Sequence, residues 1–213
     1  MKLLTVLLGA AALGVPAVAS AASYLPTGPQ TNVNIATVLG GGWSLCYSAT
    51  MGASFGGSAS TTLAGCNGSR LLLAGRETGS SNLLALAQTT KVDALFDTGA
   101  GDNNVFHTSE GSDWFYADNY SWGFKPVGVP FSKNQCSFSP PNGSMCIHTI
   151  NGVGGFSINT ITGLNGSQAY EKLVFTSNGM GAVPEPSTWA LLILGFGAVG
   201  AGMRGRKVSL SYA

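Results

Sequence analysis

An apolar run from Trp189 to Met203 removes the end of this chain from any competition for a globular core. It is preceded by Val183-Pro184-Glu185-Pro186-Ser187 and closed by Arg204, Arg206 and Lys207 around Gly205. At about 1.5 Å per residue the run reaches roughly 22 Å, short of the ~30 Å hydrocarbon core, so the span is extended to residues 188–203 and the anchor is marginal. Gly195, Gly197, Gly200 and Gly202 weaken the helix but let a second membrane helix approach closely. The basic stop at 204–207 places the extreme C-terminus on the cytoplasmic side and the middle of the chain outside.

The other end has matching features. Lys2 supplies a positive start, Leu3 to Val15 an apolar stretch, and Ala19-Ser20-Ala21 an A-x-A cleavage site, which predicts a signal peptide over 1–21. What remains to fold is residues 22–182, with 183–213 as a tail. Of the ten basic and nine acidic residues, four basic and one acidic lie in the two ends, leaving six against eight. A middle that is slightly acidic and lacks a Lys/Arg cluster excludes nucleic acid as a partner.

The segment VPEPSTWALLILGFGAVGAGMRGRK resembles the C-terminal sorting signal of PEP-CTERM proteins of exopolysaccharide-producing Gram-negative bacteria. The resemblance implies that Pro184, Glu185 and Pro186 form the recognition box of an exosortase-type membrane protease. It also implies that Arg204, Arg206 and Lys207 are the stop, and that the chain resides in the inner membrane through its C-terminal helix until it is processed. The processed protein would then reach the cell surface or the extracellular space, with exopolysaccharide as a possible partner. The resemblance covers the tail and implies nothing about the chemistry of the middle.

Within the middle, short apolar and β-branched runs alternate with Gly, Ser, Asn and Pro. Strands are expected at Trp43–Ala49, Arg70–Gly75, Leu83–Gln88, Val92–Phe96 and Val105–Thr108. A second set is expected at Trp114–Ala117, Trp122–Pro126, Met145–Ile150, Gly155–Ile161 and Lys172–Thr176. Thr78-Gly79-Ser80-Ser81 reads as a hairpin turn, and Leu83–Gln88 also fits a short helix. The fold class is mainly β, an antiparallel sandwich or jelly-roll-like ectodomain flanked by the signal peptide and one C-terminal transmembrane helix. The even count of Cys46, Cys66, Cys136 and Cys146 behind an export signal predicts two disulfides. Cys46–Cys66 and Cys136–Cys146 is the preferred pairing, because each pair flanks a loop.

Residues able to do chemistry are few. His107, Glu110 and Asp113 lie close together in sequence beside Ser109, but one imidazole and two carboxylates do not define a metal site or a catalytic triad, so neither metal nor cofactor is assigned. Asp97, Asp102, Asn103 and Asn104 offer oxygen ligands without the spacing of a calcium loop. Phe96-Asp97-Thr98-Gly99-Ala100 resembles the active-site turn of aspartic proteases, whose chemistry needs two carboxylates sharing a proton and therefore a homodimer here. No catalytic residue is assigned, and a secreted hydrolase using Asp97 is the alternative to a noncatalytic surface protein. Trp114 with Tyr116 and Trp122 with Phe124 each share a face of an expected strand, so one such face is core and the other a glycan-stacking platform, with Trp114, Tyr116 and Trp122 as the candidate residues.

Overall fold

The structure is a computed structural model that describes residues 24–101, 104–133, 136, 140–179 and 195–196. The expected signal peptide, sorting box and basic stop lie outside these residues, as does nearly all of the expected transmembrane segment. No helix among the described residues is long and apolar enough to cross a membrane. One compact unit runs from Ala21 to Gly181.

Two five-stranded antiparallel sheets make up this unit. The first contains β1 (Val33–Asn34), β2 (Ser44–Thr50), β3 (Arg70–Glu77), β4 (Asn82–Thr90) and β10 (Tyr170–Ser177), in the order β1-β4-β3-β10-β2. The second is a meander in chain order: β5 (His107–Ser109), β6 (Ser112–Ala117), β7 (Ser121–Pro126), β8 (Met145–His148) and β9 (Gly155–Ile158). Among the described residues the chain changes sheet only between β4 and β5 and between β9 and β10. The arrangement is therefore a sandwich and lacks the interleaved Greek keys of a jelly roll.

Strand periodicity explains the core. Leu71, Leu73 and Val174 of the first sheet meet Trp114, Trp122, Phe124, Met145 and Ile147 of the second in one buried cluster. Alternate residues point the other way, as a pleated strand requires. On the first sheet Leu72, Ala74, Leu173 and Phe175 form an outer cluster with Val38 of helix α1 (Ile35–Gly40), Trp43 and the segment around Tyr24 and Leu25. On the second, Phe115 packs with Phe131 and with the disulfide-bonded Cys136 and Cys146. Gly75 points at Ile158, and a Cβ there would come within 2.6 Å of it, so the glycine lets the two sheets close.

Leu83–Gln88 is part of β4, paired to β1 and β3, and its continuous apolar run reflects burial on both faces. The expected strand at Val92–Phe96 is instead a one-turn helix, α3 (Lys91–Ala94), following α2 (Ala59–Thr62) in chain order. Thr90 caps α3 by accepting a hydrogen bond from the Asp93 N–H at 3.1 Å. Val92 and Phe96, 79% and 49% exposed, face outward rather than entering a sheet. The sequence reading contained no counterpart of β1, α1 or α2. Both expected disulfides are present, Cys46–Cys66 and Cys136–Cys146, and no free cysteine remains.

Candidate functional site

The densest cluster of polar side chains lies where α3 meets β5. Asp93 Oδ1 is 2.8 Å from His107 Nε2, and Asp93 Oδ2 accepts from Thr90 Oγ1 at 2.7 Å and Ser109 Oγ at 3.0 Å. Ser109 also shares a 2.7 Å hydrogen bond with Thr89. Burial alone would raise the Asp93 carboxyl, but the bonds from Thr90, His107 and Ser109 outweigh it and hold the group below its ordinary value. The Phe96 ring stacks on His107 with centroids 4.5 Å apart. This geometry brings Ser, His and Asp together, but with the carboxylate at the centre. The Ser109 hydroxyl is bonded to Asp93 and not to the imidazole, so His107 is not placed to take its proton.

His107, Glu110 and Asp113, neighbours in sequence, do not converge in the fold. Each turns to a different partner: His107 to Asp93, Glu110 to Arg70 at 2.5 Å, and Asp113 to Lys125 at 2.5 Å. Arg70 also holds Gln88 Oε1 at 2.6 Å. Asp113 is buried, which would raise its carboxyl, yet hydrogen bonds from Lys125, Thr108 and the Gly128 N–H keep it low. The Lys125 ammonium also sits 4.3 Å from the centre of the Phe106 ring. No group of three or more His, Cys, Asp or Glu among the described residues is arranged to hold a metal ion.

Asp97 is exposed and follows α3; no strand delivers it. Its Oδ1 accepts the Gly99 N–H at 2.8 Å, closing a local turn of the kind that Asp favours. The neighbouring Thr98 is buried, and its hydroxyl donates to the Tyr116 carbonyl at 3.2 Å. The tripeptide thus fastens a loop to β6. Of the oxygen ligands considered with it, Asp102 and Asn103 lie outside the described residues.

The aromatic platform requires a correction. Trp114 and Trp122 are both 0% exposed and Tyr116 is 8% exposed, all within the cluster between the sheets. No sugar ring reaches them without separating the sandwich. The Trp122 indole N–H donates to the Ala94 carbonyl at 2.8 Å, whereas that of Trp114 has no partner among the described residues. The Tyr116 hydroxyl donates to Asp118 and accepts from the Ala59 N–H at 3.0 Å. Burial together with the Asp118 carboxylate pushes that phenol up to about 12. Alternation along the strands puts Trp114 with Tyr116 and Trp122 with Phe124, and the structure buries both pairs in the same interior. It could not show that the opposite face of each sheet is covered too.

Sequence reasoning also missed three buried lysines, Lys125, Lys133 and Lys172. Lys133 donates to the Val105 carbonyl at 3.0 Å and lies 3.3 Å from that of Thr98, binding both ends of the 98–105 loop. Lys172 is 0% exposed and donates to the carbonyls of Thr50 at 2.8 Å and Ala53 at 2.6 Å. Burial lowers its ammonium to about 8. The available signal was the place of Lys172 in the alternation of β10, where it shares a face with the inward-facing Val174.

Residues 182–207 match the PEP-CTERM protein-sorting motif. No curated protein and no solved structure is significantly similar to the chain. The motif makes this two-sheet protein an exported, surface-sorted one and implies processing by exosortase, a membrane protein. Pro184, Glu185 and Pro186 fall within the matched residues, as do Arg204, Arg206 and Lys207.

Proposed function

We propose that the folded unit is a noncatalytic cell-surface or matrix module whose neighbour outside the cell is exopolysaccharide. The observation that carries this reading is the commitment of the reactive side chains to the fold. Asp93 occupies His107, Lys125 occupies Asp113, and a local turn occupies Asp97. His148 lies against Phe156, and its burial lowers the imidazole despite a bond involving the Tyr120 backbone that opposes the shift. An acid–base catalyst needs a side chain free to meet substrate, and these four are tied down.

Glycan contact in this reading runs through the turns. Asn67, Asn142, Asn151 and Asn178 are exposed and offer neutral amides suited to hydroxyl-rich ligands. The protein secreted by its own host, incubated with that host's exopolysaccharide and sedimented, is expected to be retained at both low and high salt. Absence of retention, or retention abolished by salt, would remove glycan association from the proposal. Peptide hydrolysis across acidic pH tests the noncatalytic part: a protease activity lost in Asp97→Asn would replace it.

Sorting has its own test. Alanine at Pro184, Glu185 and Pro186 leaves the apolar run and the basic stop intact. The unprocessed chain is therefore expected to accumulate in the inner membrane, and normal release of this triple variant would overturn recognition through the box.

A further inference from the structure

The sequence contains five Asn-Gly pairs: Asn67-Gly68, Asn142-Gly143, Asn151-Gly152, Asn165-Gly166 and Asn178-Gly179. At such a pair the backbone can react with its own side chain. The glycine nitrogen bonds to the asparagine Cγ, the Cγ–Nδ2 bond breaks, and ammonia leaves with a cyclic imide behind it. Water then opens the imide at one carbonyl or the other, giving aspartate or isoaspartate, and neither oxidant nor reductant is needed. Glycine favours the attack because no side chain hinders its nitrogen or restricts its backbone. A nitrogen whose proton is already held by an acceptor must first give up that bond.

The fold separates the five on this criterion. The Gly68 N–H donates to Thr176 Oγ1 at 2.8 Å and the Gly143 N–H to Asn159 Oδ1 at 2.8 Å. The Gly152 N–H donates to Ser54 Oγ at 3.0 Å and the Gly179 N–H to Ser177 Oγ at 3.3 Å. The Gly166 N–H has no acceptor among the described residues. Asn165 and Gly166 form the corner of a turn closed by the Ser167 N–H on the Leu164 carbonyl at 2.9 Å, and Gly166 is exposed. We propose that Asn165 is a self-modification site, converted through its imide to aspartate and isoaspartate ahead of the other four asparagines.

The location gives the product a structural effect. Leu164 is buried in the core between the sheets and its N–H donates to the Phe156 carbonyl at 3.0 Å, while the Ser167 carbonyl accepts the Gly52 N–H at 2.7 Å. Isoaspartate lengthens the backbone by one carbon between these two anchors, whereas aspartate keeps the path and adds a charge. An exported protein that is not resynthesised in place would thus record its age at this turn.

The test uses the protein as secreted by its host, held at mildly alkaline pH and mapped by peptide mass spectrometry with isoaspartate detection. The absence of one net hydrogen bond at Gly166 predicts that Asn165 leads the other four by roughly 2–10-fold. In urea the lead should disappear, because unfolding releases all five glycine amides. Gly166→Ala should slow conversion at Asn165 alone; nothing lies within 4 Å of the added Cβ, so the fold is expected to tolerate it. Thr176→Val should raise conversion at Asn67 by removing the acceptor of the Gly68 N–H. The proposal fails if another asparagine leads in the folded protein, if the lead survives in urea, or if Gly166→Ala leaves the Asn165 rate unchanged.

Discussion

The two sheets share one interior but close their outer faces by different means. The first covers its outer face mainly with aliphatic and aromatic side chains, Leu72, Leu173 and Phe175 against Val38 and Trp43, and its Arg76–Glu171 ion pair on that face is less deeply enclosed, with side chains 16% and 11% exposed. The second covers its own with Phe115 and a disulfide, and secures it with the buried Asp113–Lys125 pair. Apolar cover contributes in proportion to the area removed from water and tolerates imprecise geometry. A buried ion pair must offset the desolvation of both charges, so each partner depends on the other. Gly123 shows how closely the second face is fitted. It pairs with Phe115 across the strands, and a Cβ there would come within 2.7 Å of the Phe115 ring and 2.0 Å of the Met145 carbonyl oxygen.

The contrast can be broken most forcefully at the ion pair. Asp113→Ala leaves the Lys125 ammonium buried without its counterion and should cost about 3–5 kcal/mol in urea unfolding. Asp113→Leu combined with Lys125→Met should instead be neutral or stabilising by about 1–4 kcal/mol. A single variant that loses less than about 1 kcal/mol would mean that the pair is solvated and that the two faces do not differ in kind.

The disulfides offer a smaller test, one on each sheet. Cys46 and Cys66 are 20 residues apart and Cys136 and Cys146 are 10 apart. On the chain-entropy argument, replacing either pair by alanine should cost roughly 3 kcal/mol, the longer loop exceeding the shorter by about 0.6 kcal/mol. A markedly larger loss for Cys136–Cys146 would show that this bridge supports the covering of the second sheet beyond its effect on the unfolded chain.

The smallest effect concerns Lys172, the charge that the first sheet buries on its inner face. Its ammonium falls from 10.5 to about 8 in the folded protein, so between those values the unfolded chain holds a proton that the folded one has released. Stability should therefore rise with pH across this window, by on the order of 3 kcal/mol at most. In Lys172→Met that rise should vanish from the pH dependence of the urea midpoint. A slope equal to that of the wild type would assign the titration to another group.

Much of the sandwich was legible because its strands are punctuated by turn residues and their apolar positions alternate. Period alone paired Trp114 with Tyr116 and Trp122 with Phe124, while the meeting of both pairs in one interior depends on how β6 and β7 pair. Val92 and Phe96 misled because β-branched and aromatic residues favour strands. The spacing of Thr90 and Asp93, a helix-capping pattern, was the counter-signal and occupied too few residues to prevail. Helix α1 was not anticipated, although Asn34 stands before it and Gly41 after it as caps, and Asn34 accepts the Ala36 N–H at 2.8 Å. The polar cluster was illegible for a different reason. His107 is completed by Asp93, 14 residues away and on another element, and sequence proximity pointed to Glu110 and Asp113 instead.

Strand β10 lies between β3 and β2, and among the described residues β2 has no other strand partner. Tyr47 must wait for Val174 to be delivered before it can pair. In any chain that emerges N-terminus first, β2 is exposed before its partner, and pairing so distant in sequence is intrinsically slow. The matched sorting motif begins at residue 182, shortly after β10 ends at Ser177. Completion of the first sheet thus requires almost the whole chain up to the sorting motif. A cut made early, before Ser177, would release a domain missing a central strand; a cut within the motif releases one that can finish folding.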